Sequence, residues 1–112
     1  MTGCPFCKIA TGEIPAAIVK RHGGLLAFKD INPQAPTHLL VIPEQHISSL
    51  NDAKDPALLG AMLSFARDLA REAGISERGY RIVVNTNAAG GQTVFHLHLH
   101  LLGGRPMAWP PG

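Results

Sequence analysis

Thr93-Val94-Phe95-His96-Leu97-His98-Leu99-His100-Leu101-Leu102 is the stretch that decides the fold. In it histidine alternates with leucine, and successive side chains of a β-strand point to opposite faces of a sheet. We therefore predict a strand over residues 94–102, with the leucines in the core and the histidines sharing the other face. Three histidines in such a row can bind a metal, hold a phosphate, or present one imidazole as a nucleophile that its neighbours orient.

Length and composition set limits on the rest of the molecule. The chain has 112 residues, which predicts a single domain over residues 1–112. Ten Lys and Arg against eight Asp and Glu give a net charge of +2 without a basic run, so binding to nucleic acid is not indicated. No apolar run approaches the roughly 20 residues of a membrane span. We expect a cytoplasmic protein with no membrane partner.

The two cysteines, Cys4 and Cys7, are spaced as CxxC. A redox CxxC is expected between a strand and a helix of a βαβ unit, and the sequence offers no strand ahead of Cys4. As metal ligands the pair would supply half of a tetrahedral zinc site. As plain reduced thiols they need no further partner. The residues alone leave these three interpretations open.

The remaining segments predict an α+β domain. We expect a short helical turn or loop over residues 4–12, strands over 18–20, 25–29, 37–42 and 80–86, and one long helix from Asp55-Pro56 to Gly74. Strands that follow one another in meander order around one helix indicate an antiparallel sheet.

The run His96–Leu102 resembles the His-φ-His-φ-His-φ-φ signature of the histidine triad (HIT) superfamily of nucleotide hydrolases and transferases. Similarity extends over nearly the whole chain, and the ending Trp109-Pro110-Pro111-Gly112 resembles the Hint branch, which comprises purine nucleoside phosphoramidases. The resemblance implies the HIT-like fold, an antiparallel five-stranded sheet with one long and one short helix. It also implies a homodimer in which the two sheets join edge to edge.

The activity that this resemblance implies is cleavage of the P–N bond of a purine nucleotide conjugate. His98 would attack the α-phosphorus, and water would release the nucleoside monophosphate from a nucleotidyl-histidine. The other nitrogen of His98 would then donate to a main-chain carbonyl on the same strand. No cofactor is implied for catalysis.

Further site residues follow from the same resemblance. His100 would contact the phosphate, Thr93 would place a hydroxyl near the bridging atom, and His38 would support the triad. Relatives often carry Ser at the position of Thr93, so this chain keeps the hydroxyl and adds a methyl group. The remaining nucleotide-binding positions are Asp30 for the ribose, Asn85 near the phosphate, the backbone N–H groups of the loop containing Gly91 and Gln92, and Ile14, Phe28 and Ile31 for the base.

Zinc-bearing members of the superfamily imply a structural Zn²⁺ site that this chain would form from Cys4, Cys7, His46 and His96. Alternatives to the phosphoramidase are a dinucleoside polyphosphate hydrolase or another nucleotide hydrolase or transferase of the superfamily, a metal-dependent hydrolase with Zn²⁺ on the triad, and a non-catalytic nucleotide-binding scaffold. No acidic residue lies near the triad in sequence, which argues against a catalytic metal there.

Overall fold

The computed structural model describes residues 3–112, and this part of the chain forms one antiparallel five-stranded sheet with two α-helices. This confirms the α+β class that the segments predict and the five-stranded sheet with one long and one short helix that the resemblance implies. The elements in chain order are α1 (Pro5–Thr11), β1 (Ile18–His22), β2 (Leu25–Lys29), β3 (Thr37–Pro43), α2 (Pro56–Glu72), β4 (Tyr80–Val83) and β5 (Leu99–Gly103). Short 3₁₀ turns occupy Leu50–Asp52 and Ala88–Gly90.

The strand order is β1-β2-β3-β5-β4, so the predicted meander is wrong for the last two strands. Helix α2 carries the chain across the sheet, and β4 begins beyond the position that β5 later fills. Strand β5 therefore pairs with β3 on one side and β4 on the other. This places His100, on β5, in the interior of the sheet.

The long helix α2 covers one face of the sheet. Its start is fixed by Asp55, whose side chain accepts a hydrogen bond from the N–H of Ala57 at 3.0 Å, and by Pro56 at the first helical position. Helical spacing of apolar residues then buries a stripe against the sheet. The stripe packs on Leu39, Val41, Leu99 and Leu101 and consists of Met62, Phe65, Ala66, Leu69 and Ala70.

The short helix α1 covers the opposite face. Pro5 starts it, and Gly12 ends it with a φ of 83°, a left-handed conformation that glycine adopts without strain. Its buried residues Phe6 and Ile9 pack on Leu26, Phe28, Leu40 and Ile42. Because both faces of the sheet are covered, residues 39–43 of β3 form a continuous apolar run, and every residue of this strand except Thr37 is buried.

The predicted histidine strand is shorter in the structure, where β5 begins at Leu99 and residues 94–98 are irregular. The ladder between β3 and β5 stops at the pair Val41 and Leu99. Continuing the register would place Leu97 opposite Pro43, which has no N–H to donate. The N–H of Leu97 donates instead to the carbonyl of Ile47 at 2.6 Å. Leu97, Leu99 and Leu101 are nevertheless buried, as the alternation predicts.

Candidate active site

His98 lies on the α1 side of the sheet and is 7% exposed. Its Nδ1–H donates to the main-chain carbonyl of His96 at 2.6 Å, the hydrogen bond that the resemblance implied. A neutral imidazole carries one ring N–H, so Nε2 keeps a free lone pair. Burial is the main cause that lowers the pKa of His98 below 6.5. The ring is therefore neutral at pH 7 and has the form that a nucleophile needs.

His100 is oriented by His38. The N–H of Gln34 donates to Nδ1 of His38 at 3.0 Å, so the single proton of neutral His38 must be on Nε2. That nitrogen lies 2.9 Å from Nδ1 of His100 and donates to it. Consequently, neutral His100 carries its own proton on Nε2 and presents a donor.

The pKa values keep both rings neutral. Burial lowers the pKa of His38, and the nearby Asp30 carboxylate offsets only part of that effect. The pKa of His100 falls to about 4, first because of burial and then because of His98 and His38. At neutral pH the arrangement consists of uncharged imidazoles with fixed tautomers.

A cleft of about 460 Å³ opens over His98 and His100. Thr93 and Asp30 also line it, together with apolar residues of α1, β2 and the segments beside them. Of the residues expected to bind a nucleotide, the cleft brings together Ile14, Phe28, Asp30, Ile31, Thr93, His98 and His100. Ile31 is fully exposed, which is unusual for a large apolar side chain. It offers the cleft an apolar surface on which a planar nucleobase can pack.

Asn85, Gly91 and Gln92 do not line this cleft. The amide of Asn85 lies beside Gly91, 4.0 Å from the position that a Cβ of Gly91 would take. Gln92 is 5% exposed, and its side chain accepts from the N–H of Asn87 and donates to the carbonyls of Ser48 and Val94. It therefore fixes the loop that precedes the histidines.

The expected phosphate-binding nest in this loop is not supported. The N–H groups of Gly90 and Gln92 donate to the carbonyl of Asn87, and the N–H of Gly91 donates to that of Ala88. These internal bonds close a 3₁₀ turn, so the donors are already used.

The residues expected to hold zinc come together at the start of α1. The sulfur of Cys4 lies 3.3 Å from Nδ1 of His96, and the sulfur of Cys7 lies 3.3 Å from Nδ1 of His46 and 3.5 Å from Nδ1 of His96. Bonds of about 2.3 Å to sulfur and about 2.1 Å to nitrogen in a tetrahedral zinc site separate S from N by about 3.6 Å. The donor set therefore fits Zn²⁺.

The tautomer of His96 supports this fit. Its Nε2–H donates to the carbonyl of Pro43 at 2.7 Å, which leaves Nδ1 without a proton and facing both sulfurs. Metal-bound histidines commonly donate their other ring N–H in this way. No local pattern indicates Pro43 as the acceptor, because the contact joins residues that are 53 positions apart.

Asp30, His38 and His100 form another group with mutually close donor atoms, so an acidic residue does lie near the triad in space. Asp30 Oδ2 is 3.4 Å from Nε2 of His38. A metal here would need the lone pair of that Nε2, but the N–H of Gln34 keeps the proton of His38 on it. The hydrogen bonding of this group therefore does not suit a metal site.

Phe6 is a site residue that sequence reasoning missed. Its ring stands edge-on to His98 at 5.1 Å between centroids and to His96 at 6.0 Å. An aromatic residue in a short helix gives no sign of its partners, and only the position of α1 on the sheet reveals them.

The HIT domain family matches residues 11–107. The chain belongs to the HIT family. A HIT family hydrolase from Legionella pneumophila has a crystal structure that is 58% identical and covers 98% of this chain and 100% of that chain, with a TM-score of 0.95. The purine nucleoside phosphoramidase of Escherichia coli K12 is 50% identical over 104 residues, which are 91% of this chain and 87% of that protein.

A Zn-bound histidine triad family protein from Mycobacterium smegmatis is also similar in structure, with a TM-score of 0.82 and 34% identity over 93% of this chain and 76% of that chain. These relatives place the present chain among the HIT family hydrolases. Across residues 3–112, the helices are too short or too polar to cross a membrane.

Proposed function

We propose that this HIT family hydrolase cleaves the P–N bond of purine nucleoside phosphoramidates, the class named for its Escherichia coli relative. The observation that carries the proposal is the hydrogen bond from His98 Nδ1–H to the carbonyl of His96. It leaves Nε2 of a neutral imidazole available in a cleft that also contains Thr93, His100 and Asp30. A nucleophile, a hydroxyl, an N–H donor and a carboxylate are thus available to one ligand.

The reaction proceeds in two displacements at phosphorus. Nε2 of His98 forms a bond to the α-phosphorus, and the P–N bond breaks with its electron pair going to the amine. The Thr93 hydroxyl gives its proton to the departing amine nitrogen and takes one from solvent water in return. Water then forms a bond to the phosphorus of the nucleotidyl-histidine and loses a proton to solvent. The bond from phosphorus to Nε2 breaks with its electron pair going to Nε2, which releases the nucleoside monophosphate and free His98. One difficult displacement becomes two easier ones because imidazole is both a good nucleophile and a good leaving group.

The other residues bind and orient the nucleotide. His100 donates its Nε2–H to a phosphate oxygen, and Asp30 accepts hydrogen bonds from the ribose hydroxyls. The base lies against the apolar part of the cleft formed by Ile14, Phe28 and Ile31. Asn85, Gly91 and Gln92 contribute through the shape of the loop that leads to Thr93, since they do not line the cleft.

Zn²⁺ bound by Cys4, Cys7, His46 and His96 would supply stability and no chemistry at phosphorus. The proposed homodimer would use β4, which pairs with β5 on one side and is the last strand of the sheet formed by residues 3–112. A free strand edge of this kind can pair with the same strand of a second copy. Sedimentation analysis should then give twice the mass of the chain.

Intact-protein mass spectrometry after rapid quenching with an adenosine 5′-phosphoramidate tests the reaction. Wild type should show a transient nucleotidyl adduct, and His98→Ala should show neither adduct nor turnover. His22→Ala is the matched control, because His22 is an exposed histidine in β1. Substantial turnover by a folded His98→Ala protein would overturn the proposal. A folded wild type that binds nucleotides without hydrolysing them would instead support the non-catalytic nucleotide-binding scaffold.

A further inference from the structure

Two protein contacts hold the ring of the nucleophile, and one of them comes from Phe6, which also lines the cleft. The carbonyl of His96 fixes Nδ1 of His98 at 2.6 Å, and the ring of Phe6 packs perpendicular to the His98 ring, with an interplanar angle of 89°. The nucleotide supplies neither contact. What holds His96 and Phe6 in place therefore decides where Nε2 of His98 points.

The backbone around His96 and His98 is not held by a β-ladder. Pairing with β3 begins only at Leu99. Before that point, the anchors include the N–H of Leu97 on the carbonyl of Ile47 and the ring of His96 on the carbonyl of Pro43. The position of the His96 carbonyl thus depends strongly on the interactions that hold the side chain of His96.

Both contacts to His98 are connected to the cysteine-histidine cluster, which comprises Cys4, Cys7, His46 and His96. His96 is fully buried and belongs to the cluster itself. Phe6 lies between Cys4 and Cys7 in α1, a helix of seven residues. Isolated helices of this length are marginal, so α1 depends on its attachments to the rest of the fold. A cation bound by the cluster would link the start of α1 to His96, because both would provide its ligands.

We propose that His96 and Phe6 are positioning residues for His98, and that Zn²⁺ in the cysteine-histidine cluster holds the nucleophile in its productive tautomer and orientation. The inference rests on the proposed function in so far as His98 is the nucleophile. It assigns the cluster a role in the rate of the chemical step as well as in stability. Loss of the cation loosens the His96 carbonyl and the Phe6 ring, and the His98 ring then populates other tautomers and rotamers.

The first test compares the full-length protein with one equivalent of Zn²⁺ and after chelation. ¹⁵N NMR of the imidazole nitrogens reports the tautomer of His98 directly, and metal analysis reports occupancy. With Zn²⁺, His98 should show one Nδ1–H species. Without it, the signals should average or multiply, and kcat should fall about tenfold to a hundredfold, the usual effect of losing groups that orient a functional side chain. Identical His98 spectra and kcat with and without Zn²⁺ would overturn the proposal, as would failure to bind Zn²⁺.

Phe6→Leu tests the aromatic contact at full Zn²⁺ occupancy, even if chelation unfolds the chain. The matched control is Phe65→Leu, which makes the same change in the core beneath α2. Because Phe6 also lines the cleft, the deciding measurement is the His98 signal of the nucleotide-free protein. Phe6→Leu should alter that signal and lower kcat about tenfold, whereas Phe65→Leu should reduce stability and leave both unchanged. Wild-type His98 signals and kcat in zinc-loaded Phe6→Leu would contradict the role of Phe6. If no phosphoramidate were hydrolysed, the NMR comparison would still decide the positioning claim while the proposed function failed.

Discussion

The backbone N–H of Gln34 determines which nitrogen of His100 carries a proton, although His38 lies between the two residues. Gln34 donates to Nδ1 of His38, and His38 therefore donates from Nε2 to Nδ1 of His100. A loop thus fixes a tautomer in the cleft through two hydrogen bonds. Nε2 of His100, which faces the cleft as a hydrogen-bond donor, therefore carries its proton because of the main-chain N–H of Gln34, outside the cleft.

His38→Ala should lower kcat/KM for a phosphoramidate by about tenfold to a hundredfold, because His100 loses the partner that fixes its tautomer. His38→Gln should recover part of the loss, since its amide retains an N–H donor. Steady-state kinetics on folded variants measures both effects. His22→Ala, at an exposed position, should match wild type. A folded His38→Ala protein with wild-type kcat/KM would show that the tautomer of His100 does not matter.

The stability of the protein should fall with acidification between about pH 6.5 and pH 4. The pKa of His100 drops to about 4 and that of His38 is also lowered, both chiefly by burial. The unfolded chain therefore binds more protons than the folded chain in this window. Each such histidine lowers the free energy of unfolding by up to about 1.4 kcal/mol for every pH unit of acidification. Above pH 6.5 the contribution is fully present.

Urea unfolding at several pH values, in the presence of a chelator, measures the slope of the free energy of unfolding against pH. His100→Asn should reduce it, because one buried imidazole no longer resists protonation. His22→Asn should leave it unchanged, since His22 is exposed. An equal slope in His100→Asn and wild type would contradict the assignment to His100.

Much of the site follows from local sequence, and its limits have physical causes. The alternation of leucine with histidine correctly predicts that Leu97, Leu99 and Leu101 are buried. It does not reveal that the ladder ends at Leu99, because that depends on Pro43 in a neighbouring strand. Periodicity describes one strand, whereas pairing depends on the partner.

Contacts distant in sequence account for the other differences. Asp30 lies close to His38 in space, yet it is 70 residues from His100 in the chain, so distance along the chain does not reveal this acid beside the triad. The loop at Gly91 resembles a phosphate-binding turn by composition, but its N–H groups are used internally. Composition identifies a turn without identifying the partners of its donors.

Gln92→Leu should destabilise the protein by roughly 2–4 kcal/mol. The buried amide of Gln92 bonds three backbone groups, and an apolar replacement leaves those groups without partners at a cost of about 1–3 kcal/mol each before relaxation. Chemical denaturation gives the free energy of unfolding. Gln45→Leu is the control, because Gln45 is exposed. Equal stability of the two variants would show that water satisfies the freed groups.

Zinc should raise the thermal stability of wild type and leave that of Cys4→Ser/Cys7→Ser unchanged. Free Zn²⁺ at a hundredfold excess over its Kd stabilises the folded state by about 2.7 kcal/mol, which corresponds to an increase in Tm of roughly 10 °C in a domain of this size. Calorimetry with and without chelator gives both values. A similar rise in Tm for the double variant would place the responsible zinc elsewhere.

The C-terminal tail should influence the choice of amine leaving group. Trp109 is 82% exposed, and the tail is tied to the sheet by Arg81, whose Nη2 donates to the carbonyl of Ala108 at 2.9 Å. A large exposed aromatic residue is suited to docking, and in the proposed dimer the tail could reach the partner's cleft. Deleting Met107–Gly112 should therefore change the ratio of kcat/KM for an aromatic and a small alkyl amine conjugate by about tenfold. Trp109→Ala should reproduce most of this change if the indole is responsible. If the truncated protein is still dimeric and this ratio of kcat/KM values is unchanged, the tail has no part in recognising the leaving group.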